Sequence, residues 1–204
     1  MQYTFTGRDG GFAKKVTAPR LDFPLSRRMI QLAREREPAM PMTSFDTLPD
    51  DARVWVFGAS ASLDDVDSTR LLAAVDGFLL QWKAHGHPLT SAREWRDERF
   101  LVVGVDQRTE GASGCSIDGL FRTLKGLETS IGATLVAGGQ VYFRDSIGLV
   151  HSVSRPEFSL MAKHGDVSGE TRVFDTAITS AGDYRAKFER PASASWHAEL
   201  LAAR

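Results

Sequence analysis

The run Phe100-Leu-Val-Val-Gly-Val105 restricts the fold of this chain more than any other stretch. Its apolar positions are nearly continuous, so a strand built from them has no polar face to offer water and must be covered on both sides. Such a strand lies in the middle of a sheet with further layers above and below it. Asp106 ends the run.

The flanking sequence supplies those layers. Val54, Val56 and Phe57, with Trp55 between them, read as a short strand rich in β-formers. Ser62 followed by Asp64 and Asp65 marks a helix start, because a cap oxygen and early acids satisfy exposed N–H groups. Leu71, Val75, Phe78 and Trp82 then recur at helical spacing, with Leu72 and Leu79 alongside. Gly86 ends this helix and Pro88 prevents its resumption. A second helix is predicted from Ser116 to Ile131, with Ile117, Leu120, Leu124, Leu127 and Ile131 as its buried stripe and Gly132 as its stop.

Gly138-Gly139 separates Thr134-Leu-Val136 from Val141-Tyr-Phe143 and predicts a hairpin. A turn at Asp145 to Gly148 leads into a strand from Leu149 to Val153. Ser154-Arg-Pro-Glu157 has the spacing of a capping box, with proline early in the helix where its missing N–H does no harm. That helix ends at Gly165, Thr171 to Phe174 is a further strand, and a last helix is expected around Trp196 to Ala203. The fold class is therefore α/β (α+β): a mixed β-sheet with two main helices and a smaller C-terminal hairpin and helix region. The two crossovers are expected to be right-handed wherever their flanking strands are parallel neighbours. Residues 43–204 form a single domain, with a core over 43–137 and a β-rich part over 138–204. Residues 1–42 differ in texture, with Gly10-Gly11, Pro19, Pro24, Pro38 and a charged stretch from Arg27 to Glu37. They are expected to be a loosely attached extension, with Met42 as an alternative start, or else an ordinary N-terminal arm packed on the domain.

Composition narrows the function classes. Lys plus Arg number 25 against 26 Asp plus Glu, so bulk charge attracts neither nucleic acid nor an anionic membrane, and neither is an expected partner. The single cysteine, Cys115, excludes an intrachain disulfide and a thiolate-rich zinc site. No apolar run is long enough for a membrane-spanning helix, and the N-terminus does not read as a secretory signal. The expected compartment is the cytoplasm.

The stretch with most chemical content is Asp106-Gln-Arg-Thr-Glu-Gly-Ala-Ser-Gly-Cys-Ser-Ile-Asp118, between the covered strand and the second helix. Small residues let backbone approach a ligand, and a helix start presents free N–H groups and a positive dipole end. Cys115 at that end would have a stabilised thiolate. Asp106, at the strand exit, is placed to orient a substrate, hold a divalent cation or act as a base. Asp106, Cys115 and Asp118 are thus the candidate catalytic residues, and Ser113, Gly114 and Ser116 the candidate ligand-binding ones. The structural alternative is that Ser113 and Ser116 are helix caps, Gly114 is turn chemistry and Cys115 a small core residue. The Gly-Lys-Ser/Thr of a phosphate loop is absent, the glycine spacing does not fit a dinucleotide site, and Cys115 to Arg122 is one residue too long for a cysteine–arginine phosphatase loop. No cofactor is expected. His85 and His87 flank Gly86 without a third ligand nearby, so no metal is expected either.

The pieces Trp82-Lys-Ala-His-Gly-His-Pro-Leu89, Phe100-Leu-Val-Val-Gly-Val-Asp106 and Ala112-Ser-Gly-Cys-Ser-Ile-Asp118 together resemble a family of short, uncharacterised bacterial proteins, over roughly residues 44–145. Its members often carry the label of a transporter ATPase, yet the nucleotide-binding loop such an enzyme requires is missing from this chain. The resemblance implies a bacterial protein and little mechanism. Val141 to Phe174 also resembles small modules that bind proline-rich peptides, through Glu157-Phe158 and Thr171-Arg-Val-Phe174.

Two functions follow. The first is a non-catalytic adaptor or self-associating protein, using apolar surface on the C-terminal hairpin and near Trp196. The second is an enzyme acting on a small anionic or phosphorylated substrate at the Asp106–Asp118 loop.

Overall fold

The computed structural model describes residues 42–108, 110–136 and 138–202. Apart from Met42, the expected N-terminal extension lies outside the described residues. The first sheet holds β1 (Arg53–Gly58), β5 (Phe100–Val105) and β4 (Ser91–Arg96), in that order. As the apolar run requires, β5 is the central strand, and every one of its residues is buried. Leu101, Val103 and Val105 face a core shared with two helices, α1 (Asp65–Leu79) and α2 (Gly114–Leu127). Phe100 and Val102 face the opposite way, into an aromatic cluster with Tyr142, Phe174 and Phe188.

Both pairings in this sheet are antiparallel, with Trp55 opposite Val103 and Val103 opposite Arg93. Parallel neighbours, the condition for a right-handed crossover, therefore do not arise here. The cause is β4, which the charged sequence Ser91-Ala-Arg-Glu-Trp-Arg96 conceals. It forms a hairpin with β5 and reverses the chain between α1 and the central strand. The hairpin turns through Asp97 and Glu98, both at positive φ (55° and 52°) as the central pair of a type I′ turn requires, and the Arg99 N–H closes the turn on the Arg96 carbonyl (3.1 Å). A second, two-stranded hairpin joins β2 (Lys83–Ala84) to β3 (His87–Pro88). The first helix therefore stops at Leu79, short of Trp82, whose buried ring is set by the turn that follows.

The second sheet has the order β7 (Val150–Ser154), β6 (Gln140–Arg144), β8 (Arg172–Phe174), β9 (Glu189–Pro191). Residues 134–136 form no strand, so the expected hairpin across Gly138-Gly139 is replaced by one across the Asp145–Gly148 turn. There the Asp145 carboxylate accepts from the N–H groups of Ile147 and Leu149, a local ring that glycines at 138 and 139 cannot make. Side chains alternate along this sheet. Tyr142 and Phe174 enter the aromatic cluster, while Val141, Phe143 and Val173 pack under α3 (Arg155–His164) with Phe158. Ser154 caps α3 by accepting from the Glu157 N–H, and Gly165, at φ 83°, ends it. The layers thus run helices, sheet, sheet, helix, in a mixed α and β fold.

Two short helices complete the chain, α4 (Ala181–Lys187) and α5 (Ala198–Leu201). The segment entering α4 returns to the first sheet: Val54 N–H donates to the Thr179 carbonyl (3.0 Å) and Ala181 N–H to that of Ala52 (2.9 Å). An ionic knot also links the two sheets. Glu189 on β9 accepts from Arg96 (2.7 Å) and Arg144 (3.0 Å), and Arg144 also reaches Asp97 (3.0 Å). Among the described residues, no helix is long and apolar enough to cross a membrane.

Candidate functional site

The Asp106–Asp118 stretch is placed where the sequence puts it, between β5 and α2, but Asp106, Ser113 and Ser116 are engaged within it. Asp106 is 8% exposed. Its carboxylate accepts from the Arg108 side chain at 2.9 Å and 2.6 Å and from the Arg108 N–H at 3.0 Å. The Arg108 guanidinium and N–H hold this carboxyl below the usual carboxylate range. A carboxylate so engaged is a poor base and has few lone pairs left for a cation.

Ser113 is the N-cap of α2, its hydroxyl accepting from the Ser116 N–H (3.3 Å). The Ser116 hydroxyl donates to the Ser113 carbonyl (2.9 Å), and its own carbonyl accepts from the Trp82 indole (3.2 Å). Gly114 is the first helical residue, and Asp118 is exposed one turn further on. Cys115 follows Gly114 in the helix; its side chain lies outside the described residues. Ser113→Ala is expected to lower stability by about 1 kcal/mol, as loss of an N-cap does, read as a shift of the urea midpoint. A structural role would leave every binding property of the protein unchanged by this substitution.

The histidines of the sequence separate in the same way. His85 and His87 are both exposed on the β2–β3 hairpin, with His85 in its turn at φ 50°. Among the described residues, no group of three or more His, Cys, Asp and Glu side chains is arranged to hold a metal ion.

Nor is Trp196 an exposed anchor. Its indole donates to the Asp175 carboxylate (3.1 Å), its ring stacks on His197 at 3.8 Å, and the Arg155 guanidinium lies over it at 4.8 Å. The apolar side chains left in solvent on the C-terminal part include Ile147 and Leu149 at the β6–β7 turn and Leu160 on α3.

The best-formed concavity lies elsewhere, along the outer edge of β1. It encloses about 280 Å³ and is walled on one side by Trp55, Phe57 and Phe121 and on the other by Tyr142 and Ile178. The walls differ because β1 alternates: Trp55 and Phe57 belong to the helical core, Val54 and Val56 to the aromatic one. Gly58 closes one end, its carbonyl accepting from the Tyr142 hydroxyl at 2.6 Å. A Cβ at Gly58 would run into the Tyr142 ring, so glycine is what lets that ring lie over the strand. Thr179 closes the other end through its bond with Val54.

Sequence reasoning missed this groove because its walls come from residues 53–58, 121, 135–136, 138–140, 142 and 176–179, which no local pattern connects. One signal was present. Trp55-Val-Phe57 carries neither the lysine nor the proline that guards a solvent-facing edge strand. Comparison of the chain with protein-family models, curated proteins and solved structures finds no match.

Proposed function

We propose that the protein is a non-catalytic interaction protein that holds a segment of another polypeptide in the groove beside β1. The observation that carries this reading is a concave site with aromatic and aliphatic side chains in its walls at an open sheet edge, a combination that suits protein recognition. Aromatic side chains line it, as they line the energetic centres of interfaces. The competing enzymatic reading at the Asp106–Asp118 loop has less support, since Asp106 is held by Arg108 and the two serines are engaged in starting α2. The family resemblance adds the expectation that the protein is bacterial, and the cytoplasm stays the compartment expected from the sequence.

The test is a selection of displayed random decapeptides on the full chain. Enriched peptides should quench the fluorescence of Trp55 and lose binding when Ala177→Trp fills the groove. Ala177 is exposed on the groove wall, so the substitution leaves the core intact. Gln140→Trp, at another lining position, is the second blocking variant. A selection that enriches nothing, or peptides that bind both folded variants as well as the parent, would sink the proposal.

A further inference from the structure

We infer that the guest binds as an added strand on β1, pairing with the backbone of Val56, and that it is an extended, uncharged or acidic peptide with apolar side chains on both faces. This rests on the reading of the groove as an interaction site and specifies how the site works.

The inference starts from the direction of backbone hydrogen bonds. Along a paired strand, successive residues turn their N–H and C=O groups to opposite edges. Val54 donates outward, away from β5, to Thr179, and Gly58 accepts from Tyr142 on that same edge. Val56, midway between them, must also point its N–H and C=O outward. Among the described residues neither group has a partner. The edge of β1 is therefore satisfied at both ends of the groove and open at its centre.

The chain's own return segment shows what the open position accepts. Around the Arg53–Ser180 bridge, residues 179 and 181 pair with β1 in antiparallel fashion. Two residues further, Ala177 would face Val56 if the pairing continued. It does not, because the Asp175 carboxylate takes the Ala177 N–H (3.1 Å) and bends the segment away. The rung at Val56 is left for another chain. A guest residue there would exchange both hydrogen bonds with Val56 and extend a ladder the protein itself begins.

The walls then specify side chains. A residue opposite Val56 shares its face and points toward Tyr142 and Ile178. Its two neighbours point the other way, toward Trp55, Phe57 and Phe121. Aromatic and aliphatic side chains stand on both faces, so apolar β-formers suit three consecutive guest positions, as they suit a strand covered on both sides. Among the described lining residues, Arg53 is the one with a formal charge, which disfavours a basic guest and tolerates an acidic one. Proline cannot occupy the central position, since it has no N–H to give to Val56.

The experiment uses the decapeptides enriched on the full chain, made as free peptides and N-methylated at one backbone amide at a time. Binding should weaken about tenfold at a single amide, the loss of one hydrogen bond, and little at its immediate neighbours. Hydrogen exchange at the Val56 amide should slow on binding, and the enriched sequences should be rich in Val, Ile, Tyr and Phe. Peptides blocked by Ala177→Trp that tolerate methylation everywhere and leave Val56 exchange unchanged would overturn strand addition while leaving the groove as the site. Enrichment of proline-rich or basic sequences, or protection of Val56 by self-association without peptide, would overturn it as well. Peptides indifferent to the blocking variants would remove the groove reading itself.

Discussion

Phe100→Ala should cost about 4 kcal/mol, within the range for deleting a buried phenylalanine and leaving a cavity. Phe100 is 0% exposed. Its ring meets Tyr142, Phe174 and Phe188 at centroid distances of 5.2, 4.6 and 5.1 Å. Those three partners come from the second sheet and the segment after α4, so the ring is where the two sheets touch. It also sits on the central strand, where no neighbour moves without disturbing a ladder on either side. A loss of this size is a large part of the roughly 5–15 kcal/mol that holds a domain together. In urea the midpoint should fall steeply with an unchanged slope, the pattern of lost stability without a change in unfolded surface. Val66→Ala, at an exposed position on α1 (64% exposed), should change stability by less than about 0.5 kcal/mol. Similar midpoint losses in both variants would contradict this account of the core.

Acidification from pH 6.5 to pH 4 should remove about 3 kcal/mol of stability through one residue, His197. Its imidazole is 0% exposed, and burial pushes its pKa from 6.5 down to about 4. One ring nitrogen, Nδ1, meets the Ser195 hydroxyl at 2.6 Å; among the described residues, the buried Nε2 has no partner. Asp175 favours the charged ring, while Arg190 and Arg155 oppose it.

In the unfolded chain the imidazole takes its proton near pH 6.5, and in the folded protein only near 4. Between those values the unfolded state binds more protons, so stability falls as pH falls. The upper half of this window separates His197 from the carboxylates. Asp106 and Asp183 are held below their ordinary range by hydrogen bonds from Arg108 and Lys187, so their stabilisation is lost only at still lower pH. His197→Phe should flatten the stability profile between pH 6.5 and 5 relative to the parent, whatever it does to stability at neutral pH. An identical slope in the two proteins would show that His197 does not titrate as a buried neutral ring.

Elements that carry their own punctuation were legible in the sequence. The central strand is set by its unbroken apolar run, and α3 by Ser154 at one end and Gly165 at the other. For α1 the cap is Asp64 rather than Ser62, whose hydroxyl donates instead to Glu98 (3.2 Å). β4 was illegible because its charges are answered from outside: Arg93 pairs with Asp76 on α1 (2.7 Å), and Arg96 with Glu189 on β9. A strand whose polar side chains find distant partners loses the alternation that would reveal it. Missing β4 also concealed the direction of β5, and with it the antiparallel sheet. α4 and β9 are short and polar, and tertiary contacts make them. Arg185, for example, donates to the Leu48 carbonyl (2.6 Å) across 137 residues of sequence. In the Asp106–Asp118 stretch, residue types indicated the cap at Ser113, whereas Ser116, the other expected cap, lies inside the helix. They gave no sign that Arg108 would fold back onto Asp106.

The return of residues 176–181 to the outer edge of β1 has a consequence for biogenesis. The first strand is made early and its companion segment late, so during synthesis Val54 and Val56 wait with their outer edge bare. Until Thr179 and Ile178 have been added and have travelled back, the recess has one wall. On the proposed reading, a nascent chain is therefore unable to take a peptide by this route, and binding competence arrives only once this long loop has closed. Contacts so distant along the polypeptide form slowly. On the proposed reading, recruitment of a partner waits for synthesis and return of residues 176–181.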